Sequence, residues 1–358
     1  MNARTEPIPE PRDLYPELPV SDPYYGPAAY NSRKIPNQPP QTEDHNRGWV
    51  SRKTNMRLPW GNAWEVAPLN VLRLSQPNIL RKVERDGCQI EDTGVVESRL
   101  DHECIKRAPY AWYTRTIAFL GATGKLLSII VPPLVLLTYI VAIFNYPLHS
   151  SPGQQALDTL PVMLGFIAVP LSVWGAIHAL QRYCPKIVFK SGKGPDWELN
   201  RRTGMVTYFD YSAGKRNPKP VSAPFYEFDA YVGSTPDRQG LPMHFFYLYH
   251  RYSKLEVDLN AMFGGAHRGE IAFAFWDLIQ NYMDISRPLP DLPMWEEYRH
   301  LDPVTAEYDR RTGRNPRYWL DMDDDTWKAK QAEMESKVRR IDTTSRSNLM
   351  AEHVDYQV

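Results

Sequence analysis

The sequence predicts a membrane protein of the α+β class: a two-helix transmembrane hairpin and an antiparallel β-sheet domain capped by a C-terminal helix. Three observations predict it. Residues 126–144 and 160–180 carry no Lys, Arg, Asp or Glu, and each is long enough to cross about 30 Å of hydrocarbon at 1.5 Å per residue. From 196 to 260, short runs rich in aromatic and β-branched residues alternate with polar ones, the period of half-buried strands. In "HRGEIAFAFWDLIQNYMDIS", Ile271, Phe275, Leu278, Ile279 and Tyr282 then fall on one helical face.

The elements follow in chain order. Ten prolines stand in the first 40 residues, and proline fixes φ and removes a donor. Residues 1–48 therefore read as a disordered, polyproline-like tail. The start has no apolar core of a cleavable signal. Residues 49–112 are rich in tryptophan, and "WVSRKTNMRLPWGNAWEV" with the mixed run after it reads as one or two hairpins.

The stretch "TRTIAFLGATGKLLSII", 114–130, offers two readings. A phosphate loop needs G-x-x-x-x-G-K-[ST], but Phe119 stands at its first glycine and Leu126 follows Gly124-Lys125. A dinucleotide loop needs a third glycine, where Leu127 stands. The uncharged run that follows makes this the entry to a membrane helix, so residues 113–183 form the hairpin. Pro132, Pro133, Pro161 and Pro170 are tolerated there, and the paired prolines are expected to kink the first span. The connecting "NYPLHSSPGQQALDT" has no Lys or Arg, whereas Lys106, Arg107, Arg115, Arg182, Lys186 and Lys190 flank the pair. The positive-inside rule puts both termini in the cytoplasm. His178 reads as an interfacial histidine near the end of its span.

Residues 184–290 form the β-rich domain. Trp197, Leu199, then Met205 or Val206 and Tyr208 bracket the turn "NRRTG", the clearest hairpin signal in the chain. "FYEFDAYVGS", "HFFYLYHRY" and "KLEVDLNAMF" supply further strands. In the extension 291–358, "DMDDDTWKAKQAE" lacks the glycine and glutamate of a calcium loop. With acid at its start and "KVRR" at its end it reads as a helix near 325–340.

This order resembles the pleckstrin-homology-like fold. "DWELNRRTGMVTYFD" (196–210) and "LDPVTAEYDRRTGRNPRYW" (301–319), with the hairpin before them, resemble a poorly characterised family of bacterial two-helix inner-membrane proteins. Some members of that family sit in gene clusters of type VI secretion effectors. The resemblance implies an inner-membrane location and an immunity or accessory role. It implies no catalytic residue.

Chemistry is sparse. The charges balance, 42 Lys+Arg against 42 Asp+Glu, which offers nothing to nucleic acid. Cys88, Cys104 and Cys184 have no metal spacing, and no H-E-x-x-H, nucleophile elbow or kinase set occurs. No catalytic residue, metal or cofactor is therefore expected. Residues 186–219 hold eight Lys/Arg against three Asp/Glu, which makes Lys186, Lys190, Lys193, Arg201 and Arg202 candidate contacts to anionic lipid. Tyr226, Phe228, Phe245, Tyr247 and Tyr249 give more aromatic surface than one sheet face hides, a candidate partner face. The expected function is non-enzymatic: a cytosolic β domain, held at the bilayer, that binds a protein. The alternative is a membrane-bound enzyme with its site at the sheet–bilayer junction, using Asp229, His244 or His250.

Overall fold

The computed structural model describes residues 24–42, 55–61, 65–86, 99–109, 111–145, 152–184, 188, 194–212, 218–263 and 265–357. The chain is α+β, with two long apolar helices and antiparallel sheets. It divides into two units, one built from 1–90, 97–107 and 195–358, the other from 91–96 and 108–194.

The first unit holds two sheets. One has the order β2 (Arg99–Leu100), β3 (Cys104–Arg107), β4 (Trp197–Asn200), β5 (Met205–Asp210), β6 (Lys219–Pro224). The other has the order β1 (Asn55–Arg57), β7 (Phe228–Pro236), β8 (Pro242–His250), β9 (Glu256–Asp258). The strands at 197–210 join through the expected turn, where Gly204 adopts φ 74° and its N–H donates to the Asn200 carbonyl. A side chain there would also strike the Ala28 carbonyl, at 1.9 Å. The outer strand β6 guards its free edge. Phe225 N–H bonds the Gly204 carbonyl, so by antiparallel alternation Pro220 and Pro224 occupy outward-facing positions with no N–H to offer.

Register assigns the faces of the second sheet. Phe228, Ala230 and Val232 stand opposite His250, Leu248 and Phe246, and the apolar members of this set are the core side. Helix α4 (Gly269–Met283) covers it, with Phe275 5.3 Å from Phe246 ring to ring. Trp60, fully buried, packs its ring 4.9 Å from Trp276, 5.1 Å from Phe225 and 5.3 Å from Tyr30. The helical face expected at 271–282 is present, but burial runs nearly all round the helix. The cause is the C-terminal extension, which packs on the far side through Val338 on Ala274 and Arg346 on the buried Asp277, 2.7 Å.

One expected segment boundary therefore changes. Residues 24–42 are not a disordered tail: Tyr30 is 2% exposed, and Ile285 N–H bonds its carbonyl. Residues 1–23 and 43–48 lie outside the described residues. The tryptophan-rich segment packs on the rest of the unit: β1 adds an edge strand to β7, Trp60 enters the core, and β2 pairs with β3 at its end. The helix expected near 325–340 is α6 (Asp324–Arg339), following α5 (Pro303–Thr312). Asp323 caps α6 by accepting from the N–H groups of Asp325 and Thr326.

The second unit is a helical hairpin, α2 (Trp112–Asn145) and α3 (Pro152–Tyr183), preceded in the chain by α1 (Pro77–Asp86) of the first unit. All four prolines lie inside these helices. Trp112–Val141 and Leu157–Tyr183 are long and apolar enough to cross a membrane. Only 6% of each apolar window is buried, whereas a core helix of a soluble domain is mostly buried. On α2 the less exposed positions recur at Ile117, Gly121, Gly124, Ser128, Val131 and Val135, the three–four spacing of a helix–helix seam. The "GATGK" glycines are thus helical and belong to that seam. A side chain on Gly124 would meet the Trp174 backbone N at 3.2 Å, and one on Gly121 the Ile177 Cγ2 at 2.8 Å. Small residues at such points let helix backbones approach closely. Gly124→Leu is expected to separate α2 from α3 at a cost of about 1–3 kcal/mol. A lowered melting temperature in detergent checks it, with the exposed Ala122→Leu as the unaffected control.

Candidate functional site

Two buried charge centres organise the first unit. The first lies in the β4–β5 turn. Arg201 has no exposed side-chain surface. Its Nε bonds Asp302 Oδ1 at 3.1 Å, Nη1 bonds the Tyr282 and Asp284 carbonyls, and Nη2 bonds the Arg287 carbonyl at 2.7 Å. Asp302 also caps α5 through Thr305 and accepts from Tyr25 Oη at 2.7 Å. This overturns Arg201 as a lipid contact: its charge is consumed inside the fold. Its neighbour Arg202 is half exposed, bonds Glu103 at 3.0 Å and lies 4.8 Å over the Tyr24 ring. Lys186, Lys190 and Lys193 lie outside the described residues.

Burial alone raises the Asp302 pKa, but the Arg201 charge and the hydrogen bonds from Arg201, Thr305 and Tyr25 outweigh it and hold the carboxyl below the usual carboxylate range. The sign follows from linkage. A depressed carboxylate contributes stability that is complete above its unfolded pKa, about 4, and is lost as pH falls through the lower folded value. Asp302→Asn is expected to flatten that acid limb, as read from denaturation midpoints across the acid range.

The second centre lies on the other side of the β1–β7–β8–β9 sheet. Asp229, 1% exposed, places Oδ1 within reach of four donors. These are Trp60 Nε1 at 3.2 Å, Arg251 Nε at 3.1 Å, Arg251 Nη2 at 2.9 Å and Tyr356 Oη at 3.1 Å. Arg251 is fixed further by Gln38 Oε1 and by the Tyr226 and Phe228 carbonyls. The Tyr356 ring lies between two guanidiniums, 4.2 Å from Arg57 and 5.7 Å from Arg251. Burial, together with the Asp229 charge, pushes the Tyr356 phenol up, so it stays a donor. Backbone bonds seat the strap that carries it on residues 38–41: Gln38 N–H to the His353 carbonyl and Gln41 N–H to the Asp355 carbonyl, both 2.9 Å.

The five residues of the expected partner face separate in space. Phe228 is fully buried in the core, and Tyr226 packs against that core from a 3-10 turn. Phe245, Tyr247 and Tyr249 share the second face, because they pair with Gly233, Tyr231 and Asp229. Tyr231 and Tyr249, 5.1 Å apart, are nonetheless 4% and 7% exposed. Among the described residues, the strap that carries Tyr356 supplies contacts on this side.

Asp229, His244 and His250 do not converge. The two histidines stand six residues apart on the core side of β8, about 20 Å along the strand. Asp229 is on the opposite side. His250 Nε2 is 2.9 Å from Glu227, and His244 exchanges backbone bonds with Ala266. No cluster of three or more metal-ligating side chains occurs among the described residues.

An open groove of about 810 Å³ runs between α1, the turn Pro293–Leu301 and α5. Leu80, Val83, Ala306 and Leu320 line it, and its arginines are paired, Arg299 with Asp309 at 2.6 Å and Arg317 with Glu84 at 2.6 Å. Neither this groove nor the Tyr356 seat was signalled in the sequence. Tyr356 is 127 positions from Asp229, and no spacing rule links residues so far apart. No protein family, curated protein or solved structure matches this chain.

Proposed function

We propose that this protein is a two-span membrane protein whose α+β body stands on one side of the bilayer and binds another protein. One observation carries the membrane part. Two helices of 30 and 27 residues keep 6% of their apolar windows buried, and water would charge about 25 cal/mol for each Å² of such surface. The hairpin is inserted between β3 and β4, which pair directly, Arg107 opposite Trp197. An even number of spans returns the chain to the side it left, so one sheet can take both legs. The flanking Arg115 and Arg182 favour the cytoplasmic side for that body, with the bacterial inner membrane as the location that the family resemblance implies.

The binding part rests on how the body uses its polar groups. Arg201 with Asp302, Arg251 with Asp229 and Arg346 with Asp277 are spent on one another, and on the side of the aromatic second face Tyr356 bonds Asp229 and lies over Arg57. The sequence of strands β4–β9 followed by α4 supports a pleckstrin-homology-like reading of the body. The resemblance to inner-membrane proteins near type VI effector genes makes an effector-related protein the first partner to try. Fractionation in alkaline carbonate tests the membrane part: the chain should stay in the pellet, and full release into the supernatant would contradict it.

A further inference from the structure

The turn between β8 and β9 joins a serine, a histidine and a glutamate in one chain of hydrogen bonds. Register supplies the glutamate: Phe228 pairs with His250, so Glu227, one position before β7, comes to the end of β8. His250 Nε2 lies 2.9 Å from Glu227 Oε2, and Ser253 Oγ lies 2.9 Å from His250 Nδ1. The Tyr252 backbone N–H also donates to Nδ1, at 3.2 Å. An amide N–H cannot accept, so Nδ1 is assigned as the acceptor and the ring proton to Nε2, facing the carboxylate. The Ser253 hydroxyl then donates to Nδ1. This is the proton placement of a general base at a serine nucleophile with a carboxylate behind it, the two ring nitrogens being exchanged relative to the usual triad. The imidazole is buried between the Phe228 and Tyr252 rings, at 5.1 and 5.7 Å, whereas Ser253 is exposed. The turn closes without the serine bond: His250 N–H donates to the Leu255 carbonyl and Arg251 N–H to the Glu227 carbonyl.

We propose that Ser253 and His250, with Glu227 behind them, form a nucleophilic site that cleaves small carboxylic esters. Ser253 Oγ forms a bond to the acyl carbon as its proton passes to His250 Nδ1. The bond to the leaving oxygen breaks, and that oxygen departs as the alcohol with the proton from Nδ1. Water then gives a proton to the same nitrogen and attacks the acyl-serine, which releases the carboxylic acid and restores the serine hydroxyl. Glu227 faces the imidazolium throughout and is a positioning residue. In enzymes with a nucleophile elbow the amide after the serine donates to the oxyanion; here that of Lys254 donates no bond among the described residues. Ser253 and Lys254 are both exposed, so the substrate class is an ester that meets the hydroxyl in the open rather than in a deep cleft. This activity goes beyond the binding reading and does not depend on it.

The test uses the full chain in detergent, with a fluorescent fluorophosphonate as covalent probe and p-nitrophenyl acetate as substrate. The probe is expected to label Ser253, as mapped by peptide mass spectrometry, and Ser253→Ala to remove both the label and the ester turnover without moving the melting temperature. His250→Gln is expected to slow labelling about a hundredfold, the scale of a lost general base. Glu227→Gln should lower kcat about tenfold and leave KM unchanged, which a merely structural role would not do. Ser253→Cys, in a chain whose Cys88, Cys104 and Cys184 are serine, covers the case in which His250→Gln loses its fold. Iodoacetamide should alkylate that thiol about tenfold faster than the adjacent, also exposed Lys254→Cys, because an imidazole at its side favours the thiolate. An unlabelled Ser253 in the wild type, labelling that survives His250→Gln in a folded chain, or equal alkylation of the two cysteines would overturn the proposal. Carbonate fractionation is independent of these outcomes, so failure here is distinguishable from failure of the membrane reading.

Discussion

Arg201→Met is expected to cost the body about 3–5 kcal/mol, because it leaves a buried carboxylate without its countercharge. A typical domain has only about 5–15 kcal/mol in total. Asp302 would keep Thr305 and Tyr25 as donors but lose the guanidinium, and the carbonyls of Tyr282, Asp284 and Arg287 would lose their shared donor. Those acceptors belong to the end of α4 and the segment after it, so the loss unfastens the β4–β5 turn from the helix that covers the core. Chemical denaturation followed by tryptophan fluorescence should show a large fall in midpoint, or no cooperative transition. Arg202→Met, one residue away and half exposed, is expected to change stability by no more than about 1 kcal/mol. Equal effects at the two positions would refute the assignment of Arg201 as the internal anchor. Pairing Arg201→Met with Asp302→Leu should recover part of the loss, since removing both charges is cheaper than removing one.

Excising the hairpin has the other large expected effect. Replacing residues 108–195 by a short glycine-containing turn joins two strands that already pair, Cys104 to Arg107 against Asn200 to Trp197. The shortened chain is expected to leave the membrane fraction completely and to unfold cooperatively as a soluble body. The effect is large because each Leu, Ile, Phe or Val at the centre of a span favours insertion by about 0.3–0.6 kcal/mol, and both spans are built mainly of such residues. A shortened chain that stays in the membrane pellet, or that has no cooperative transition, would show that the body depends on the hairpin.

The parts of this fold legible in the sequence are those with local causes. The two apolar runs, the "NRRTG" turn, the helical face at 271–282 and the acidic start of the helix near 325–340 each depend on residues within a few positions of one another. The hidden parts depend on distant residues. Nothing near Tyr30 in its proline-rich segment announces that the ring will pack on Trp60 and Phe225. A count of charge could not separate Arg201 from Arg202, because the difference is Asp302, a hundred residues on. The excess aromatics of 226–249 were legible as more than one sheet face hides, but local pattern does not reach the seating of Tyr356 on Asp229, 127 positions away.

The central claim is that two spans hold one body on one side of a bilayer, and cysteine accessibility in sealed vesicles tests it most directly. With Cys88, Cys104 and Cys184 replaced by serine, Asp158→Cys reports the start of α3, just after the connection between the two spans, and Lys254→Cys reports the body; both positions are exposed. A membrane-impermeant maleimide should label one of the two in intact vesicles and the other only after lysis, with Lys254→Cys on the cytoplasmic side. Labelling of both from the same side of intact vesicles would contradict the account.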